Sequence, residues 1–243
     1  MHTQHARFAR GKGLRNTLYE LGETHERRSM LAERHVTNFC SEFKIVMTDT
    51  PLNTEEVTAS WHKGAGDGVD LLITAARCND LVVMGRFTRP NGLPSDLLEL
   101  MLIECGRPIL IAGPETPRSL TGTVMVCWKD TREPALAVTA AMPILAKADH
   151  VIILAVDEGA GSAIDSATGV AQQLTWHRIR ANVEVVAADK CPTAELLLSA
   201  AMSCGANLLV MGGYSKGRLR ETIFGGCTDS ILRHADLPVL IIH

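Results

Sequence analysis

The residues best suited to chemistry lie near the carboxyl end of the chain. They are the run Gly212-Gly213-Tyr214-Ser215-Lys216-Gly217-Arg218 and, shortly after it, Gly225-Gly226-Cys227-Thr228. Gly212 and Gly213 end an apolar run, where glycine allows a sharp turn or a close backbone approach to a ligand. A helix that starts at about Cys227 leaves its first N–H groups unpaired, which makes an anion site suited to phosphate. Lys216, Arg218 and Arg220 add positive charge nearby. Lys129 and Asp130 close another apolar run and face the same crevice if both runs are parallel strands. Asp157 and Glu158 end the next run and, with Asp130, offer a cation contact. A second reading stands beside this one: glycines also serve plain strand-to-helix turns, and basic residues solvate loops. No GxxxxGK[ST], GxGxxG or HExxH pattern is present, and no catalytic residue is assigned.

Several elements must position these groups. Strands are expected at 123–130, 150–156, 182–188, 207–213 and 237–242, with helices at 132–148, 170–179, 191–205 and within 220–235. The stretch 157–169 is small and polar and reads as a loop, Thr193 as a helix cap and Gly205 as a helix stop. Strands alternating with helices, without a hairpin signal, imply an open, doubly wound parallel α/β sheet.

The first half holds a partial copy of this pattern. "LLITAARCNDLVVMG" (71–85) matches "LLLSAAMSCGANLLVMG" (196–212), and "LLELMLIECGRPILIAG" (97–113) matches "CTDSILRHADLPVLIIH" (227–243). Ahead of it come a charged helix, 23–43, a short strand, 44–49, and an added strand within 57–64. The leading strand–helix–strand of the repeat has no counterpart. That gives 1–22 as an unstructured or remnant segment, 23–113 as an incomplete domain, 114–120 as a linker and 121–243 as a nearly complete domain. A parallel sheet without its leading strands leaves open edges, and truncation of the chain is the expected reason. Asn91-Gly92-Leu93-Pro94 reads as a turn into a helix capped by Ser95.

Bulk properties exclude other classes. The 243 residues are 46% hydrophobic and 21% charged, with a net charge of −3 and no basic stripe, which argues against a nucleic-acid binder. No apolar run approaches the roughly 20 residues of a membrane span. The N-terminus carries charge but no apolar core of a signal peptide. Seven cysteines, Cys40, Cys78, Cys105, Cys127, Cys191, Cys204 and Cys227, show no metal-ligand spacing; six or seven buried or half-buried thiols in a reducing cytoplasm are expected. Trp61, Trp128 and Trp176 read as core or interface residues.

The glycine-rich segment with its closing "LPVLII" strand resembles the universal stress protein family in its tandem two-domain bacterial form. The resemblance implies a Rossmann-like, adenine nucleotide alpha hydrolase-like fold in two tandem copies, the first incomplete. It also implies a stress-response binding or regulatory module that takes ATP or AMP, with Mg²⁺, in the second copy. The family's nucleotide binders carry Gly-x2-Gly-x9-Gly-Ser/Thr. On this chain those places fall on Gly212, Ser215, Gly225 and Gly226, so the second and fourth depart. The family's aspartate at the end of the first strand falls on Lys129, with Asp130 one residue later. The first copy lacks the pattern after Gly85 and is expected to be structural. The resemblance further implies a homodimer through the last strand, or pairing of the chain's own two domains. Two alternatives stay open: a structural or protein-interaction role without nucleotide, and a weak ATPase or adenylyl-transferring enzyme.

Overall fold

The computed structural model describes residues 12–53, 55–64, 68–85, 96–159, 161–188, 191–213 and 226–243, with side chains from residue 26. The chain divides after Gly66 into two compact units. In the first, helix α1 (Lys12–Glu42) precedes two short strands, β1 (Val46–Met47) and β2 (Thr58–Ala59), which pair in parallel. The helix starts at Lys12, well ahead of the expected 23. The charged and polar residues that hid its start are compatible with helix at no more than tenths of a kcal/mol each. Cys40 is buried, and Lys63 pairs with Glu33 at 3.0 Å.

The second unit contains α2 (Gly68–Arg77), β3 (Val82–Met84), α3 (Leu97–Glu104), β4 (Ile109–Ile111) and β5 (Thr123–Trp128). It continues through α4 (Arg132–Leu145), β6 (His150–Asp157), α5 (Ala163–Trp176) and β7 (Ala181–Ala187). It closes with α6 (Thr193–Ser203), β8 (Leu208–Gly212), α7 (Gly226–His234) and β9 (Val239–Ile242). All seven strands β3 to β9 form one sheet in the order β3-β4-β9-β8-β5-β6-β7. Every neighbouring pair is parallel except β4 and β9, which run antiparallel with Leu110 opposite Leu240. The segment 114–120, expected as a linker, therefore runs between β4 and β5 within one continuous sheet.

Strand alternation splits the core between the two faces. Val124, Val126, Ile153, Leu208 and Val210 point to one face, where Ala137 and Ala141 of α4 and Ala167 and Leu174 of α5 cover them. Met125, Leu154, Leu209 and Ile241 point to the other, under residues of α2, α3, α6 and α7. Central strands buried on both faces explain why their sequences are continuous apolar runs.

Four expectations need correction. The loop expected at 157–169 is largely the first half of α5, which spans Ala163–Trp176. Its serines, threonine and Gly169 mask it locally, but Ala167 and Leu174, both 0% exposed, lie on one helix face and packing on the sheet decides the conformation. Thr193 is the first residue of α6, and Pro192 occupies the cap position. Asp96 rather than Ser95 precedes α3 as its cap residue, because the helix begins one residue later than expected. Five of the seven thiols are buried or half-buried, while Cys78 and Cys191 are exposed. Gly205 ends α6 with φ of 63°, as its residue type predicts.

Candidate functional site

β5 lies between β8 and β6, so the chain leaves the sheet toward opposite faces at this point. α4 follows β5 onto one face, and α7 packs on the other. The first turns of α4 and α7 thus flank the carboxyl ends of β5 and β8. Such a reversal of strand order is where open α/β sheets leave a crevice for ligands.

Lys129 and Asp130 emerge from β5 into this place, both exposed. The Lys129 ammonium donates to Glu158 Oε1 at 2.8 Å, bridging the ends of β5 and β6. It also acts electrostatically on Cys227, whose thiol burial pushes up and the lysine's charge pulls back down in part. The positive charge of Lys129 therefore reaches the first turn of α7. That turn contains Gly226, Cys227 and Thr228, so the expected helix start holds to within one residue. Among the described residues a Cβ at Gly226 would meet nothing within 4 Å. Deep beside it, burial pushes the Cys127 thiol well up, with Cys227 and Cys204 adding to the effect.

Gly212 has a role that residue type alone did not reveal. A Cβ there would stand 2.5 Å from Pro134 N and 2.6 Å from the carbonyl carbon of Glu133. The glycine lets the first turn of α4 lie directly on the end of β8. A Cβ at Gly213 would come within 2.9 Å of Leu102 and 3.1 Å of Ile241, and its N–H donates to the Ile242 carbonyl. Backbone packing requires glycine at 212 whether or not a ligand approaches, whereas the neighbours of Gly213 are side-chain ends that can shift. Ser215, Lys216, Arg218 and Gly225 lie outside the described residues.

The cation contact expected from Asp130, Asp157 and Glu158 is not formed. Glu158 pairs with Lys129, and Asp157 Oδ1 accepts the N–H groups of Gly159 and Gly161. Among the described residues no group of three or more His, Cys, Asp or Glu side chains is placed to hold a metal ion. Among the described residues, Mg²⁺, which the family resemblance implies, thus finds no such carboxylate set. Trp128 packs in the core and its Nε1 donates to Ser166 Oγ at 3.2 Å. Trp176, at 89% exposed, is not a core residue. His234 Nδ1 donates to the Ser230 carbonyl at the end of α7, in keeping with a role at the helix terminus.

Of two buried polar side chains that matter, Thr228 was expected at the site from sequence and Glu133 was missed. Glu133, 5% exposed, and Thr228, 6% exposed, are the buried polar residues of the described chain. One stands in the first turn of α4 and the other in the first turn of α7, on either side of the crevice. A signal was available: Glu133 is in step with Ala137 and Ala141, and Thr228 with Ile231 and Ala235, so each interrupts an apolar helix stripe.

An α/β protein of Rossmann-like fold with a crevice at its switch point is the class these features define. The universal stress protein family model matches residues 122–243, half of the chain, and the chain belongs to that family. Its fold is similar to that of a universal stress protein from Archaeoglobus fulgidus DSM 4304, 17% identical, at a TM-score of 0.68 over 97% of this chain and 84% of that one. A putative universal stress protein from Pseudomonas aeruginosa UCBPP-PA14 and a functionally unknown protein from Pseudomonas aeruginosa PAO1 each match at 13% identity and a TM-score of 0.56, over 86% of this chain and 77% of theirs. These likenesses concern the fold. No curated protein matches the chain. Among the described residues no helix is long and apolar enough to cross a membrane.

Proposed function

We propose that residues 121–243 form an adenine-nucleotide-binding module, taking ATP or AMP, that serves a regulatory role in a cytoplasmic stress response. The observation that carries this reading is the placement of the Lys129 ammonium and the first turn of α7 together at the switch point of the sheet. The phosphates lie against the N–H groups of Gly226, Cys227 and Thr228. Lys129 exchanges its exposed partner Glu158 for phosphate oxygen. Gly212, Gly213, Ser215, Lys216, Arg218, Gly225 and Asp130 complete the rim. Asp130 is a single rim carboxylate, and among the described residues no group of three acids, cysteines or histidines is placed to hold Mg²⁺, so no step is derived through one.

The repeated pattern further supports two tandem copies of one domain, the first a structural partner. The antiparallel pairing of β4 with β9, the last strand of each copy, then joins the two domains within one chain. It occupies the β9 edge through which a homodimer would otherwise form. Thermal melting of the full chain with rising ATP or AMP tests the reading. A saturating ligand raises the melting temperature in proportion to RT ln(1 + [L]/Kd). Stabilisation that is weaker in Lys129→Ala is the expected result; no shift at millimolar nucleotide would reject it.

A further inference from the structure

The two copies of the repeat differ at one edge of the sheet. Among the described residues β3 has a neighbour, β4, on one side only, whereas its counterpart β8 lies between β9 and β5. Aligned from their first residues, the matching segments pair Leu72 with Leu197; aligned on Gly85 and Gly212, they pair Leu81 with Leu208 and Val83 with Val210. In the second copy all three residues are buried; in the first all three are exposed.

β5 accounts for the difference. Its Val124 and Val126 stand opposite Leu208 and Val210, and Leu197 shares a core cluster with its Met125 and Cys127. The backbone of β3 is turned to receive the same kind of neighbour. The Val82 N–H donates to the Pro108 carbonyl, and the Met84 carbonyl accepts from the Ala112 N–H, so both residues bond toward β4. Alternation along the strand then directs the N–H and C=O of Val83 to the open edge. Residues 81–85 carry neither charge nor proline, the devices that commonly blunt a free edge. β7, at the other edge of the sheet, has the exposed Glu184 at its centre.

We propose that the β3 edge accepts one β-strand of a partner polypeptide, which pairs in parallel with β3 as β5 pairs with β8. This rests on the two-copy reading above and is independent of the nucleotide reading. The partner segment is extended, uncharged and apolar on both faces over about five residues. Val82 and Met84 pack toward α2 and α3, so Leu81 and Val83 meet the partner on the opposite face, while Leu72 of α2, by its equivalence to Leu197, meets it on the near one. The β3 backbone supplies the hydrogen bonds. The sheet that β4 and β9 already carry across the two copies thereby extends by one strand. A second copy of this chain fits less well. The edges of its seven-stranded sheet are β3 and β7. Two β3 strands related by a two-fold axis run antiparallel, unlike β5 on β8, and β7 brings Glu184.

The test is fluorescence anisotropy of a labelled peptide with the β5 sequence, residues 121–130, titrated with the full chain under reducing conditions. Saturable binding, weakened by about tenfold or more in Val83→Asp and in Leu72→Asp, is expected; both positions are exposed, so both variants fold. Val126→Pro in the peptide removes a strand N–H and should abolish binding. A peptide of the β7 sequence, residues 180–188, should bind more weakly by about tenfold or more. Equal affinity for the two peptides overturns the equivalence of the copies, from which the occupant was chosen. No binding of the β5 peptide, or binding unchanged in both variants, overturns the inference, as does binding that is lost in Val185→Asp on the β7 edge instead. Light scattering of the chain alone should show no dimer that Val83→Asp dissociates; such a dimer would give the edge to a second copy and overturn the assignment to a partner.

Discussion

Substituting Gly212 by alanine probes the contact on which the site is built. The added Cβ would stand 2.5 Å from Pro134 N and 2.6 Å from both the carbonyl carbon and the Cβ of Glu133. Two of these atoms are backbone and cannot swing aside. Ordinary contact needs about 3.5 Å, so the first turn of α4 must retreat by about 1 Å. Overpacking of this kind costs about 2–3 kcal/mol. The lower entropy of alanine in the unfolded chain returns about 0.5 kcal/mol, for a net loss of about 2 kcal/mol. Gly226→Ala is the matched control, because among the described residues a Cβ there meets nothing within 4 Å. Urea denaturation followed by circular dichroism reads the difference. With a slope of about 2 kcal/mol/M, the Gly212→Ala midpoint should fall by about 1 M while that of Gly226→Ala moves by less than about 0.3 M. Equal midpoints for the two variants would refute the argument that α4 rests on the β8 backbone.

Further outcomes follow from burial and charge. Val83 and Val210 are equivalent in the repeat, yet Val83 on the sheet edge is 64% exposed and Val210 under α4 is 0% exposed. Val210→Asp should therefore abolish folding, whereas Val83→Asp should cost less than about 1 kcal/mol, as measured by thermal melting. Burial holds the Cys127 thiol protonated in the folded protein beyond the pH at which an unfolded thiol ionises. The unfolded chain then binds fewer protons, so stability falls as pH rises above about 9, by up to about 1.4 kcal/mol per pH unit. Cys127→Ala should flatten that slope in denaturation measured from pH 8 to 10. In alkylation followed by peptide mass spectrometry, Cys78 and Cys191, which are exposed, should react before Cys127.

The second half of the chain was legible because each central strand is buried on both faces and so reads as an unbroken apolar run. Local signals were also sufficient for the start of α7 and for Gly205 at the end of α6. They failed where tertiary packing decides. α5 begins in small polar residues that favour a loop in isolation, and it is helical because Ala167 and Leu174 dock on the sheet. The antiparallel junction of β4 with β9 depends on residues more than a hundred positions apart, and no local pattern encodes it. At the site, Lys129 and the α7 turn came from position after a strand and before a helix. Glu133 was passed over because an acid in a first turn is common on solvated helices. Only its place in the Glu133, Ala137, Ala141 stripe sets it apart. The close packing at Gly212 was equally hidden, since a glycine states that space is short without stating what fills it.

The central claim is that the crevice between β5 and β8 binds an adenine nucleotide through its phosphates. Calorimetric titration of the full chain with ATP, in parallel for wild type and Lys129→Ala, tests it most directly. The account predicts saturable binding to one site per chain, weakened about fivefold in the variant because an exposed charge contact contributes about 1 kcal/mol. Absence of heat and of saturation at millimolar ATP, or identical affinity in wild type and variant, would contradict it.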